Sequence, residues 1–281
     1  MTPLFQKNIP LFMLLFNLFS SKNFFHSHVL DKILFLYYNI IEYLLPLDNG
    51  ENVMIFKLFL CALIGYLIGG INPSYMIARI KGFDIRKHGS GNAGASNAVI
   101  TMGKKIGVIS ALFDIFKAYA AVKLSVYLFS EAALAGVVAG VSCIIGHIFP
   151  IIMKFRGGKG LACLGGVVLA FHPLVFLALF IAELILVLLV DYICIVPITA
   201  SIVFPIIYYN MTEKALAGTL IYCIATAVIL YKHIENLKRI RNGTEAHLSF
   251  LWMRKTEIER LKEQKVYDPL LDEENQEEIK E

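Results

Sequence analysis

The chain has 281 residues, 57% of them hydrophobic and 17% charged, with a formal net charge of +4. Soluble domains carry about 25% charged residues, so this balance excludes an ordinary soluble enzyme and indicates an all-α polytopic protein whose solvent is the lipid bilayer. Its cations fall in a few clusters between apolar runs, and no basic face is interleaved with aromatics, which excludes a nucleic-acid partner.

Residues 1–53 stand apart as an N-terminal extension. The run "IPLFMLLFNLF" is too short to span, and 29–46 is interrupted by Asp31, Lys32 and Glu42. No small-residue cleavage site follows the run, so a signal peptide fits poorly. Two readings stand side by side: translation starting at Met54, or a genuine extension lying on the membrane or loosely inserted.

From Met54 onward the apolar segments are 54–80, 106–129, 132–153, 161–190, 192–209 and 214–231, each measured against the roughly 20 residues a helix needs to cross. The segment 161–190 is long for one pass and contains "FHP" at 171–173, which makes His172 a corner, because proline disfavours helix at the residue before it. Lysine and arginine gather in 79–105, 154–159 and 231–241, whereas the 129–133 connection carries only Glu131. The positive-inside rule therefore places 81–105, 154–160 and 232–281 on the cytoplasmic side. Parity then requires 161–190 to cross twice or not at all. Two passes give about seven transmembrane helices with the N-terminus outside and glycine-rich loops facing the cytoplasm. The tail 248–281 is charged, ends in "DEENQEEIKE", and reads as solvated chain.

Three cytoplasmic segments combine glycines with polar groups. In "GFDIRKHGSGNAGASNAVITMGKK" (82–105), glycines permit tight turns, while Ser90, Asn92, Ser96 and Asn97 supply side-chain donors. Exposed N–H groups in such a loop, leading into a helix, form an anion site. In "GHIFPIIMKFRGGKGLAC" (146–163), Gly157, Gly158, Lys159 and Gly160 open an apolar helix and have the parts of a phosphate cradle: free N–H groups, a helix dipole and a cation. The P-loop pattern is absent, so ATP is not implied. His147, just before this loop, reads equally as a base or as a packed residue. In "YKHIENLKRIRNGTEAHLSF" (231–250), His233 and Asn236 share a helical face and Glu245 can pair a nearby cation. Asp114 and Lys117 lie i,i+3 within an apolar segment, so they are expected to pair in the interior and support the site. The five cysteines (Cys61, Cys143, Cys163, Cys194, Cys223) have no CxxC or Cys/His ligand spacing, so neither a metal site nor a disulfide framework is expected.

Taken in order, "GGINPSYMIARIKGFDIRKHGSGNAGASNA", "GKKIGVISALFDIFKA", "GHIFPIIMKFRGGKGLA" and "YKHIENLKRIRNGTE" resemble the PlsY-type acyl-phosphate:glycerol-3-phosphate acyltransferases of bacterial membranes. The likeness covers about 55–247 and marks 54–247 as the membrane acyltransferase domain. It implies a multi-pass enzyme of the plasma membrane with a cytoplasmic active site and no soluble cofactor. Such an enzyme moves a fatty acyl group from acyl phosphate to the 1-hydroxyl of glycerol 3-phosphate, giving lysophosphatidic acid and phosphate. It also implies that Ser90, His233 and Asn236 take part in catalysis, that Asn92 and residues 157–160 bind substrate phosphate, and that Asp114, Lys117 and Glu245 support them. Three positions depart from the family pattern: Ile100 stands where an arginine is usual, Gly70 where a serine is usual, and Cys163 where a threonine is common. Lys104 or Lys105 is a candidate substitute for that arginine. A transporter of organic anions would also explain glycine breaks and buried charge, as would a non-catalytic or altered-acceptor paralogue; internal repeats typical of transporters are not evident.

Overall fold

The computed structural model describes residues 51–213, 215–245 and 247–251; residues 1–50 of the extension and 252–281 of the tail lie outside them, while 51–53 belong to the first helix and 248–251, expected as solvated chain, form a 3-10 turn. All regular elements among the described residues are helical. Helix α1 (Glu51–Gly69) is followed, across a break at 70–72, by α2 (Pro73–Ile80). The apolar segment 54–80 is thus two helices rather than one. The cause is local: Pro73 suits a first helical turn, and the Asn72 side chain accepts the Tyr75 N–H at 2.9 Å as N-cap. A 3-10 turn at Ile85–Lys87 and a short helix α3 (Ala95–Met102) follow, then α4 (Lys104–Leu128), α5 (Ala135–Ile148) and a 3-10 turn at Ile151–Met153.

Helix α6 (Leu161–Phe171) and helix α7 (Pro173–Val190) meet at His172, whose backbone is extended, so the expected corner is present. The chain closes with α8 (Ile195–Met211) and α9 (Leu216–Arg241). Four stretches are long and apolar enough to cross a membrane: Val53–Ile80 taken across its break, Ala135–Met153, Pro173–Val190 and Leu216–Arg241. Leu161–Phe171 and Ile195–Met211 are apolar but shorter. Helix α4 has the length, at 25 residues, but carries Asp114, Lys117 and Lys123 in its body. Helix α9 continues well past the apolar run at 214–231, carrying His233 and Asn236 beyond it on the same rigid rod.

Helix α4 is the centre of the bundle, packed against α3, α5 and α6, while α9 packs on α5 and α8. Lipid tails are as apolar as leucine, so close backbone approach through small residues replaces the hydrophobic effect as the attraction between helices. A side-chain carbon added at Gly65 would stand 2.1 Å from the Ala139 carbonyl oxygen, at Gly69 2.1 Å from that of Cys143, and at Gly146 2.2 Å from that of Tyr66. Helices α1 and α5 are interlocked at all three positions. Gly166 notches α6 against the Ile115 carbonyl of α4 in the same way, at 2.1 Å.

These contacts predict an asymmetric response to alanine. Gly146→Ala costs about 1–3 kcal/mol of stability, because the carbon meets backbone. Gly165→Ala, whose nearest neighbour is the Phe176 ring at 3.4 Å, changes stability by no more than about 0.5 kcal/mol. Thermal midpoints in detergent, read by size-exclusion fluorescence, separate the two; equal midpoints would contradict the packing described.

Candidate active site

The 82–105 segment is folded around one buried amide. Asn97 donates from Nδ2 to the carbonyls of Ile85 and His88 at 3.0 Å each and of Asn92 at 2.7 Å, and its Oδ1 accepts the Ser90 N–H at 2.8 Å. Gly89 and Gly91 both have positive φ, and at Gly89 a side chain would strike Asn97 Oδ1 at 2.3 Å. Asn97 is therefore an internal scaffold that leaves Ser90 and Asn92 on the loop's outer edge. From the other side, Asn72 donates to Ala93 O at 2.8 Å. Arg86 donates to Met153 O at 2.7 Å, tying this loop to the one that follows α5. The Arg86 guanidinium hydrogen-bonds Asp84 and holds its carboxyl down to about 2.

The 154–160 loop departs from the expected cradle in one respect. The N–H groups of Gly157 and Gly158 are not free: they donate to Ile148 O and His147 O at 3.0 Å each. These glycines instead allow close approach, since a carbon on Gly157 would lie 2.1 Å from His147 O and one on Gly158 2.1 Å from His147 Nε2. Gly160 is left-handed, with φ 93, and begins α6 with no side-chain cap. The unpaired first N–H groups of α6 and the Lys159 ammonium are then the anion-binding elements of the loop.

Beneath this loop lies a buried ion cluster. Lys117 Nζ sits 2.6 Å from Asp114 Oδ1, 3.0 Å from His147 Nδ1 and 2.5 Å from Ile71 O. The expected interior pairing of Asp114 and Lys117 is present, and His147 is its third member. Asp114, His147 and Cys163 bring potential metal-ligand atoms within 4.8 Å of one another, but the Lys117 ammonium bonds to two of those groups and supplies the positive charge there itself.

Near the C-terminal end of α9, His233 Nδ1 donates to Ile229 O at 2.8 Å, which leaves Nε2 with its lone pair. Asn236 Oδ1 accepts from Lys159 Nζ at 2.5 Å, and its Nδ2 donates to Glu245 Oε1 at 2.5 Å. The other Glu245 oxygen accepts from Arg239 Nε at 2.6 Å. Burial, with Arg239 nearby, pushes the Lys159 amine down to about 8.

All these groups converge on a cavity of about 330 Å³. Ser90, Asn92, Asp114, Lys159, Gly160, His233, Asn236 and Glu245 line it, and Gly157, Gly158 and Lys117 lie behind its lining. Ile100 is part of the wall, whereas Lys104 and Lys105 are exposed and not among the lining residues. Val99, Val108, Ala111 and Leu161 add apolar lining. Cys194 and His247 also reach the cavity, although no motif spacing marks them in the sequence.

The family profile described as Glycerol-3-phosphate acyltransferase matches residues 59–243. The glycerol-3-phosphate acyltransferase of Clostridioides difficile (strain 630) is 37% identical over 196 residues, 68% of this chain and 95% of the relative. That of Bacillus subtilis (strain 168) is 34% identical over 193 residues, 68% of this chain and 98% of its own. Two crystal structures of PlsY (YgiH), an integral membrane glycerol 3-phosphate acyltransferase, have the same fold. The glycerol 3-phosphate form gives a TM-score of 0.64 at 31% identity, covering 69% of this chain and 96% of that one. The lysophosphatidic acid form gives 0.61 at 31% identity, covering 68% and 94%. Matched along nearly the whole length of these relatives, and folded as they are, this chain belongs to the glycerol-3-phosphate acyltransferase family of integral membrane proteins.

Proposed function

We propose that the cavity transfers a fatty acyl group from acyl phosphate to the 1-hydroxyl of glycerol 3-phosphate, on the cytoplasmic side of a bacterial plasma membrane. One observation carries the reading: three segments far apart in sequence set a cation, a helix N-terminus, two hydroxyl or amide groups and an imidazole around one cavity that also has apolar lining. The solved relatives in glycerol 3-phosphate and lysophosphatidic acid forms support it.

In this reading Lys159 and the start of α6 hold phosphate, helped by Asn92, while Ser90 and Asn236 orient the acceptor. The acceptor oxygen attacks the carbonyl carbon of the mixed anhydride. The bond from that carbon to the phosphate oxygen breaks, and its electron pair leaves with phosphate. The hydroxyl proton has two acceptors at hand, His233 Nε2 and the departing phosphate. Phosphate is already a good leaving group, so a covalent enzyme intermediate is unnecessary, and positioning with charge stabilisation supplies the acceleration. Asp114, Lys117 and Glu245 act by holding these groups in place.

The direct test gives the purified protein an acyl phosphate and labelled glycerol 3-phosphate and looks for lysophosphatidic acid; a folded wild type that forms none refutes the reading. Lys159→Ala should lower kcat/KM about 100-fold, in the range found for loss of a preorganised charged contact. Full activity in that variant would remove Lys159 from the site.

The pH response follows from the lysine. Its amine is charged below about 8 and neutral above, and only the charged form holds phosphate. Wild-type kcat/KM for glycerol 3-phosphate should therefore fall as pH rises through about 8, because this parameter reports the free enzyme. Lys159→Arg, which stays charged, should flatten that limb.

Ile100 offers a third measurement. Ile100→Arg adds a cation to the cavity wall and is expected to lower the KM for glycerol 3-phosphate by about tenfold or more, the equivalent of one charge-assisted hydrogen bond. A KM that rises instead would mean the wall is shaped for an apolar group.

A further inference from the structure

The chain beyond α9 turns back on the molecule. Gly243 takes a left-handed φ of 71, and Thr244 N donates to Arg239 O at 2.8 Å. Glu245, now buried, makes its bonds to Asn236 and Arg239. A few residues on, the chain is fastened again, this time to the end of α7. Leu248 N donates to Asp191 O at 2.8 Å, Ser249 N to Asp191 Oδ1 at 2.9 Å and Ser249 Oγ to Asp191 Oδ2 at 3.1 Å. His247 meets the Tyr192 ring edge-on at 4.8 Å, with its Nε2 3.1 Å from the Tyr192 hydroxyl. Asp191 is itself left-handed, with φ 61, a conformation aspartate tolerates better than most residues. It ends α7 and gives one backbone and two side-chain acceptors to the returning chain.

Between these two fastenings the returning chain contributes Glu245 and His247 to the cavity lining. Hydrogen bonds tie Leu248 and Ser249 to Asp191, and a few residues earlier Glu245 is bonded through Asn236 to the Lys159 ammonium. Lysine has a long flexible stem, and ordering it on binding opposes affinity. An ammonium held in place beforehand avoids that loss. The family profile ends at residue 243, so the second fastening lies beyond the matched stretch.

We propose that residues 244–245 and 247–249 form a strap across the acceptor site, and that Asp191 is the positioning residue that fastens it and so holds Lys159 ready for phosphate. This rests on the reading that the cavity takes glycerol 3-phosphate. Asp191→Ala removes the charge-assisted bonds and should raise the KM for glycerol 3-phosphate about tenfold while kcat stays within about twofold. Ser249→Ala should give a smaller rise.

Two measurements read the strap without substrate. In Asp191→Ala, hydrogen–deuterium exchange of the Leu248 and Ser249 amides should quicken, and an amine-directed label should reach Lys159 faster than in wild type. Unchanged exchange overturns the fastening. Faster exchange with unchanged Lys159 labelling and KM overturns the positioning role, as does a fall in kcat that merely tracks loss of folded protein. A wild type that fails to use glycerol 3-phosphate refutes the acceptor reading, while exchange and labelling still decide the strap.

Discussion

The Lys117 ammonium, buried at mid-helix, is the constraint on which the rest of the structure depends. A charge in a low-dielectric interior is tolerated only when partners surround it. Here the partners come from three places: Asp114 one turn back on α4, His147 at the end of α5, and the Ile71 carbonyl in the break between α1 and α2. Two of these acceptor positions adjoin a polar segment. The α1–α2 break leads through α2 to the loop of Ser90 and Asn92. His147 lies under Gly158 and accepts its N–H through the backbone carbonyl. Satisfying one lysine therefore sets the relative level of two loops that must meet at one cavity. The glycine notches between α1 and α5 do the same in apolar terms, since only one register lets Gly65, Gly69 and Gly146 face carbonyls.

Much of this was legible in the sequence, for definite reasons. Charges within an apolar run have few acceptable fates, so the Asp114–Lys117 pairing could be read from spacing alone. "FHP" is a local signal and gives the corner at His172 whatever surrounds it. The break inside 54–80 was not read, because Asn72 and Pro73 lie within an apolar stretch whose composition outweighs them. The donor pattern of 157–160 was misread in part. Glycine frees backbone N–H groups and also permits close packing, and only the carbonyls of His147 and Ile148 decide which use applies. Asn97 was legible as a donor but not as a hub, since its partners are carbonyls of residues that any loop could present. The residues after Glu245 carry no periodicity, so the bonding of His247 and Ser249 to Asp191 and Tyr192 was invisible beforehand.

The cavity is amphiphilic in the same sense as the product of the proposed reaction. Lys159, Asn236 and His233 supply polar lining, and Val99, Val108, Ala111 and Leu161 supply apolar lining. Ile100 lies in this lining, and an arginine there would extend the polar part. Asn97, three residues before Ile100 on α3, holds the loop through the carbonyls of Ile85, His88 and Asn92.

One dimension of the bundle bears on how deep the Lys159 turn lies. Helix α6 has 11 residues and α7 has 18, and both start from the corner at His172 and pack together. At 1.5 Å per residue, α6 ends about 10 Å short of the level α7 reaches. The Lys159 turn that opens α6 is therefore sunk into the bundle, and Ile193, Cys194, Pro197, Glu245 and His247 line the same cavity. That recess sets the Lys159 ammonium among apolar helices, so the phosphate and the acyl group of the proposed reaction would meet inside the protein rather than at its surface.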